Sequence, residues 1–163
     1  MSMEKFIVLL RHGIAQPRGS EPDETRGLTK EGHKRMREIG RALNLVFPKT
    51  EIVISSPLRR CVQTAECVMK AFHGEIEMTT SKALRPEAST GEFQELIGDT
   101  AARRMILVGH EPNLTAGMLD LTHMHNDGEV ELKKGGCYGL RILENGEVKL
   151  ELMLPPRVLR ATQ

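Results

Sequence analysis

The chain alternates short, continuous apolar runs with longer segments in which apolar residues recur every three or four positions. Continuous apolar runs of this length are typical of strands that are buried on both faces of a sheet. The runs that predict such strands are Phe6–Leu10, Ile52–Ile54 and Met105–Val108, and the segment Ile76–Met78, which Glu77 interrupts, predicts a further short strand. Two closing runs, Tyr138–Leu143 and Val148–Leu154, flank Asn145-Gly146, which is a strong hairpin signal. This alternation of strand and helix patterns predicts an α/β fold.

The helical segments each begin at a capping signal. These signals are Thr29 for a helix to about Phe47, Ser56-Pro57 for one to about Phe72, Ser89 with Glu92 for one to about Arg103, and Pro112 for one to about His123. Residues 15–28 are rich in proline, glycine and charge, so they predict a long exposed loop. Loops of that length are often functional.

Composition limits the classes of protein to which the chain can belong. With 163 residues, 39% of them hydrophobic and 28% charged, it fits a single domain, 1–163. Its 23 basic and 22 acidic residues give a net charge of +1, so neither nucleic acid nor a membrane is an expected partner. The first apolar run is too short for a secretion signal and Arg11 closes it, so we expect a cytoplasmic protein. Three cysteines without CxxC spacing predict reduced, buried thiols.

Candidate chemistry lies where predicted strands end. Leu10-Arg11-His12-Gly13 follows the first strand, Ser55-Ser56-Pro57-Leu58-Arg59-Arg60 follows the second, and Val108-Gly109-His110-Glu111 follows a later one. In an open parallel sheet the carboxyl ends of the strands meet in one crevice. The two histidines and the arginines are therefore expected to lie around a common site.

These residue types suit the transfer of a phosphoryl group. Such a reaction needs an in-line nucleophile and fixed positive charge around the equatorial oxygens. His12 is the candidate nucleophile, while Arg11 and Arg60 offer planar forks that bind phosphate oxygens in pairs. Gly13 lets the chain turn without crowding the phosphate. Together with His110 the arginines can replace a metal ion, so we expect no metal and no cofactor.

The motifs together identify a family resemblance. They are Leu10-Arg11-His12-Gly13, Leu28-Thr29-Lys30-Glu31-Gly32, Ser55–Arg60 continued by Gln63-Thr64-Ala65, and Val108-Gly109-His110-Glu111. In these segments and their order the chain resembles the histidine phosphatase superfamily, also called phosphoglycerate-mutase-like. Its compact length and the loop 23–29 look most like the SixA-like phosphohistidine phosphatase branch. The resemblance implies a three-layer sandwich with a mostly parallel central sheet and helices on both faces.

The resemblance also implies roles for individual residues. His12 would become phosphorylated, and water would then hydrolyse this phosphohistidine. Arg11, Arg60 and His110 would hold the phosphoryl group. By the same analogy Arg26 reaches the phosphate from its loop. Many phosphatases of the superfamily use a carboxylic acid after the third strand to protonate the leaving oxygen, and the nearest candidate is Glu87.

Two features bear on the substrate. Ala15 and Gln16 stand where the mutases tend to carry a serine and an asparagine, which disfavours a sugar-phosphate mutase. An alkoxide is a poor leaving group whose conjugate acid has a pKa near that of water, about 16, and it needs a proton from the enzyme. A protonated imidazole leaves readily, since its reference pKa is about 6.5. By sequence Glu87 is equally well explained as that acid or as an exposed loop glutamate. A site with a weak or absent acid would suit phosphohistidine better than an alkyl phosphate.

The expected function is therefore dephosphorylation of phosphohistidine on a signalling protein, through a phosphohistidine enzyme intermediate and without a metal. Two alternatives stay open. One is a phosphatase of a small phosphorylated metabolite, which requires a carboxylate such as Glu87 beside the phosphate. The other is a non-catalytic module that binds phosphorylated proteins, although the presence of both histidines and Arg60 disfavours it.

Overall fold

The computed structural model describes residues 3–125, 128 and 130–161, and its strands form one mixed sheet. In chain order the strands are β1 (Lys5–Arg11), β2 (Ile52–Ser55), β3 (Glu77–Thr80), β4 (Arg104–Gly109), β5 (Cys137–Ile142) and β6 (Val148–Leu154). Their spatial order is β3-β2-β4-β1-β5-β6. The first four of this order are parallel, whereas β5 runs antiparallel to β1 and β6 antiparallel to β5. The mostly parallel sheet predicted from the sequence is thus confirmed.

The predicted helices are present, with shorter C-terminal ends in two cases. The helices are α1 (Lys30–Val46), α2 (Arg59–Met69), α3 (Thr90–Asp99), α4 (Asn113–Thr122) and α5 (Pro156–Arg160). The last of these is not predicted from the sequence. The loop 15–28 contains a single 3₁₀ turn at Asp23–Thr25, and its two ends pair through an isolated bridge between Ala15 and Leu28.

Two of the predicted caps are confirmed in atomic detail. The Thr29 hydroxyl accepts the backbone N–H of Gly32 at 2.9 Å, which fixes the start of α1. At α3 the Ser89 hydroxyl accepts the N–H of Glu92 and the Glu92 carboxylate accepts the N–H of Ser89, a complete capping box.

The predicted cap of α2 is wrong. The helix begins at Arg59 rather than at Ser56-Pro57, and its N-cap position is Leu58, which has no side-chain cap. The Ser56 hydroxyl accepts the N–H of Leu58 in the preceding turn at 3.4 Å and also contacts His110. The serine signal therefore marks the turn before the helix and not the helix itself.

Helices cover both faces of the sheet, because alternate side chains of β1 enter two separate apolar clusters. Val8 and Leu10 pack in a cluster with residues of α1, α2 and α5, whereas Ile7 and Leu9 pack with residues of α3 and α4. Burying each of these aliphatic side chains contributes roughly 1.5–3 kcal/mol. This arrangement confirms the three-layer sandwich.

The strand order places the ends of β1, β4 and β2 side by side. The backbone N–H of His12 donates to the carbonyl of Gly109 at 3.1 Å, and the N–H of Ser56 donates to that of Val108 at 2.9 Å. Three segments carrying the candidate residues are thereby joined at one edge of the sheet, as the parallel topology requires.

Within the described ranges, no helix is long and apolar enough to cross a membrane. The three cysteines are free and buried, as predicted.

Candidate active site

His12 follows β1 directly and is only 7% exposed. Its Nδ1 atom lies 2.7 Å from the carbonyl oxygen of Gly13. Since a carbonyl oxygen can only accept, Nδ1 carries the proton of the neutral ring and Nε2 keeps its lone pair. The ring is therefore held in the tautomer that presents Nε2 as a nucleophile.

Gly13 is enclosed on both sides. A Cβ atom at this position would lie 2.6 Å from Cγ of Met36 on α1, so a larger residue would displace that helix side chain. The Gly13 N–H donates to the hydroxyl of Thr64 at 3.0 Å, and that hydroxyl donates to the carbonyl of Arg60 at 2.7 Å. The turn after His12 is thus tied directly to the helix that carries Arg60.

His110 follows β4 and faces His12. The two ring centroids lie 5.2 Å apart, with an angle of 61° between the ring planes. The Nε2 atom of His110 lies 2.9 Å from the hydroxyl of Ser56, and its Nδ1 atom lies 3.5 Å from Nη2 of Arg60. Because Arg60 can only donate, Nδ1 is the acceptor in the neutral ring and Nε2–H donates to Ser56.

Both histidines are neutral at pH 7. Burial lowers the pKa of His12 to about 4, and the positive charges of Arg60, Arg11 and Lys134 act in the same direction, against the raising effect of the Gly13 hydrogen bond. Burial also lowers the pKa of His110 to about 3, with further lowering by His12 and Arg60. A neutral imidazole carries an unprotonated nitrogen and can act as a nucleophile without first losing a proton.

Arg11 and Arg60 bring two guanidinium groups to the site, of which that of Arg60 is buried and that of Arg11 is partly buried. Arg60 donates from Nη1 to the carbonyl of Asp23 and from Nη2 to the Asp23 carboxylate, both at 3.0 Å. Arg11 donates from Nη1 to the carbonyl of Leu132 at 2.6 Å and lies 3.6 Å from the carboxylate of Glu131. The Nε atoms of both arginines are buried and have no partner among the described residues. These are donors that a phosphoryl oxygen can satisfy.

Arg26 lies beside this group, but its donors are engaged with the protein. Its Nε and Nη2 atoms lie 3.0 Å from Oδ1 of Asp23, and its Nη1 atom donates to the carbonyl of Gln16 at 2.8 Å. The contact between Arg26 and the phosphate stays a prediction. In this structure Arg26 hydrogen-bonds to the carboxylate of Asp23.

Glu87 lies on the surface, with 68% of its side chain exposed. Its carboxylate pairs with Nε of Arg85 at 3.0 Å, and Nη2 of Arg85 reaches the carboxylate of Glu24 at 2.5 Å. These contacts pair Glu87 with Arg85 on the protein surface. Its role as a proton donor stays a prediction.

Three residues around the site were not singled out by sequence reasoning. Asp23 holds Arg60 and Arg26, Ser56 contacts His110, and Lys134 is close enough to lower the pKa of His12. Ser56 lies in one of the family motifs, but its sequence pattern predicts a helix cap and not a contact with His110. Asp23 lies in a loop that also contains Glu21 and Glu24, and the sequence pattern does not distinguish among these carboxylates.

The described residues contain no cluster of side chains suited to binding a metal ion. In residues 3–125, 128 and 130–161, no group of three or more histidine, cysteine, aspartate or glutamate side chains is placed to hold an ion. The positive charge near His12 comes from Arg11, Arg60 and Lys134.

Comparisons with known proteins agree with this arrangement. The family model for the histidine phosphatase superfamily (branch 1) matches residues 7–128. An uncharacterized protein from Picosynechococcus sp. is 31% identical over 139 residues, which is 83% of this chain and 84% of that protein. The family match spans β1 to beyond α4 and includes both candidate histidines.

Solved structures show the same fold. The crystal structure of a candidate phosphohistidine phosphatase SixA from Agrobacterium tumefaciens has a TM-score of 0.80 at 24% identity, covering 93% of this chain and 98% of that one. The protein histidine phosphatase SixA complexed with tungstate has a TM-score of 0.79 at 20% identity, with 93% and 97% covered. A phosphoserine phosphatase mutant from Entamoeba histolytica, in complex with phosphoserine, has a TM-score of 0.71 at 15% identity, with 95% and 99% covered.

Proposed function

Because this chain belongs to the histidine phosphatase superfamily, we propose that it is a phosphatase that works through a phosphohistidine intermediate on His12. The observation that carries the proposal is the state of the His12 ring. Its Nδ1 proton is held by the carbonyl of Gly13, and its Nε2 atom keeps a lone pair in a site where the Nε atoms of Arg11 and Arg60 are buried. This is the arrangement that a nucleophile for phosphorus requires.

The reaction proceeds in two displacements. In the first, the Nε2 lone pair of His12 forms a bond to phosphorus as the bond from phosphorus to the leaving atom breaks, and the leaving group takes up a proton from solvent water. Arg11 and Arg60 bind the equatorial oxygens with forks that stay charged throughout. In the second, water attacks phosphorus, inorganic phosphate departs and the neutral imidazole is restored. We assign His110 to the same phosphoryl oxygens, beside Arg60; to donate to them it must turn its Nε2–H away from Ser56 or take up a proton on Nδ1 when the phosphoryl group binds.

We propose phosphohistidine on a protein as the substrate. The exposed position of Glu87 and its pairing with Arg85 support this choice, because a dedicated proton donor would be needed for an alkyl phosphate and not for an imidazole. The second support is the likeness of the fold to proteins named as phosphohistidine phosphatases. The proposal includes independence from metal ions, since guanidinium groups supply the charge that a metal would bring.

The deciding experiment is a substrate screen. Purified protein is incubated with a phosphohistidine peptide and, separately, with a panel of phosphate monoesters that includes phosphoserine, in the presence of a chelator. We expect release of phosphate from phosphohistidine at a rate at least tenfold above that from any monoester, and none from either class with His12→Ala. Preferred hydrolysis of a monoester would replace the proposal with a metabolite phosphatase, and binding of phosphopeptides without turnover would make the protein a binding module.

A further inference from the structure

The guanidinium of Arg60 presents two different edges to its surroundings. Nη1 and Nη2 form the end of the fork, whereas Nη2 and the Nε–H form its side. Asp23 occupies the end, since its backbone carbonyl accepts from Nη1 and its Oδ2 atom accepts from Nη2, both at 3.0 Å. One residue of the loop therefore fixes the plane and the rotation of the Arg60 fork.

The side edge of Arg60 is the one that faces the reacting groups. Nη2 lies 3.5 Å from Nδ1 of His110, and the ring of His110 lies against that of His12. The Nε atom on the same edge is buried without a partner among the described residues. A phosphoryl group between Arg60 and His110 can therefore take two parallel hydrogen bonds from this edge, one from Nε and one from Nη2 in place of the contact with Nδ1 of His110, while Asp23 keeps the end.

Asp23 is itself held in place from the opposite side. Its Oδ1 atom accepts from Nε of Arg26 at 3.0 Å and lies 3.0 Å from Nη2 of the same arginine and 3.7 Å from Nε of Arg18. Although desolvation raises the pKa of this carboxyl, the charges of Arg60 and Arg26 outweigh it and hold the pKa below its usual range. The carboxylate is thus ionised at neutral pH and clamped between two arginines.

We propose that Asp23 is a positioning residue for phosphate binding, which presents the side edge of Arg60 to the phosphoryl group, and that Arg26 acts through Asp23. This role deepens the proposed function, because it concerns the same site. It differs from a competing arrangement in which the carboxylate occupies the phosphate position and must be displaced. Removal of Asp23 weakens anion binding under the first arrangement and strengthens it under the second.

The test measures binding of inorganic sulfate, an unreactive dianion, by calorimetry in a double-mutant cycle. The variants are Asp23→Ala, Arg60→Lys and the double variant, each checked for a cooperative thermal transition. A lysine has no fork to orient, so the effect of Asp23→Ala should disappear in the Arg60→Lys protein. We expect Asp23→Ala to weaken sulfate binding about tenfold in the otherwise unmodified protein, equivalent to about 1.4 kcal/mol, and less than twofold in Arg60→Lys.

Two further variants separate positioning from simple charge. Glu21→Gln removes one negative charge from the same loop without touching Arg60, and it should leave sulfate affinity within twofold. Asp23→Asn retains one oxygen acceptor, so its affinity should lie between those of the unmodified protein and Asp23→Ala, and it serves if Asp23→Ala does not fold.

The outcomes are distinct. Tighter or unchanged sulfate binding in Asp23→Ala, or an equal loss in the Arg60→Lys background, would overturn the positioning role. Because sulfate binding needs no turnover, the cycle also separates this inference from the proposed reaction. A positive cycle in a protein that hydrolyses no phosphorylated substrate would sustain the role of Asp23 while the phosphatase proposal fails. Where turnover is present, Asp23→Ala should raise KM more than it lowers kcat.

Discussion

The Nδ1 atom of His12 lies 2.7 Å from the carbonyl oxygen of Gly13, the residue that follows it. A carbonyl can only accept, so this contact commits the ring proton to Nδ1 and leaves Nε2 unprotonated. Burial keeps the ring neutral, with its pKa lowered to about 4. In the proposed reaction His12 would therefore need no separate base to activate it as the nucleophile.

The first prediction is a covalent phosphate on Nε2 of His12. Rapid quenching with labelled phosphohistidine peptide should trap a protein adduct that is labile in acid and stable in base, and phosphorus NMR should assign it to Nε2. His12→Ala should abolish the adduct, whereas His73→Ala, which removes an exposed histidine, should retain it. An adduct that persists in His12→Ala, or one on Nδ1, would contradict the assignment.

The second prediction concerns stability against acid. Because burial lowers the pKa of His12 from 6.5 to about 4, the folded protein binds fewer protons than the unfolded chain between these pH values. The free energy of unfolding should therefore fall as the pH drops from 6.5 towards 4, with a contribution from His12 on the order of 3 kcal/mol. Denaturant titrations at several pH values should show a flatter profile for His12→Gln than for the unmodified protein. An equal slope in both would show that the folded environment does not disfavour the charged ring.

The third prediction is independence from divalent metals. Exhaustive treatment with a chelator should leave turnover within twofold, because Arg11 and Arg60 supply the charge that a metal would bring. Vanadate should inhibit, since it adopts the five-coordinate geometry of the transferring phosphoryl group. Loss of activity in the chelator with recovery by one particular cation would contradict this prediction.

The fold was predictable because each layer leaves a local signal. The apolar runs around Leu9 and Leu107 are continuous, since both faces of those strands are covered, and Thr29 and Ser89 cap their helices with their own side chains. The site followed from the same signals, because His12 and His110 come directly after neighbouring parallel strands. Chain topology alone was enough to bring them together.

The contacts that complete the site leave no such signal. Asp23 and Arg60 are 37 positions apart, and their pairing depends on the path of an irregular loop. Ser56 carries the pattern of a helix cap, yet α2 begins three residues later and the hydroxyl serves His110. These side chains are arranged by tertiary packing, which propensity and spacing do not encode.

The last prediction concerns Glu87 and the choice of substrate together. Glu87 is 68% exposed and paired with Arg85, so we expect Glu87→Gln to change phosphohistidine hydrolysis less than threefold. Glu24→Gln is the matched control, because it removes the other carboxylate on Arg85 and so reports any effect of freeing that arginine. Alkyl phosphates should be slow substrates of the unmodified protein, since their leaving oxygen needs a proton and the carboxylate of Glu87 is paired with Arg85.

Kinetics on both substrate classes test whether Glu87 is instead a general acid. In that case Glu87→Gln should slow alkyl phosphate hydrolysis by roughly 10² or more, because general acid catalysis contributes factors of that size, while phosphoramidates would be little affected. Glu24→Gln would not reproduce the loss. Brisk turnover of a monoester that depends on Glu87, with phosphohistidine left intact, would require the carboxylate to leave Arg85 and enter the site when substrate binds. It would thereby identify the protein as a metabolite phosphatase.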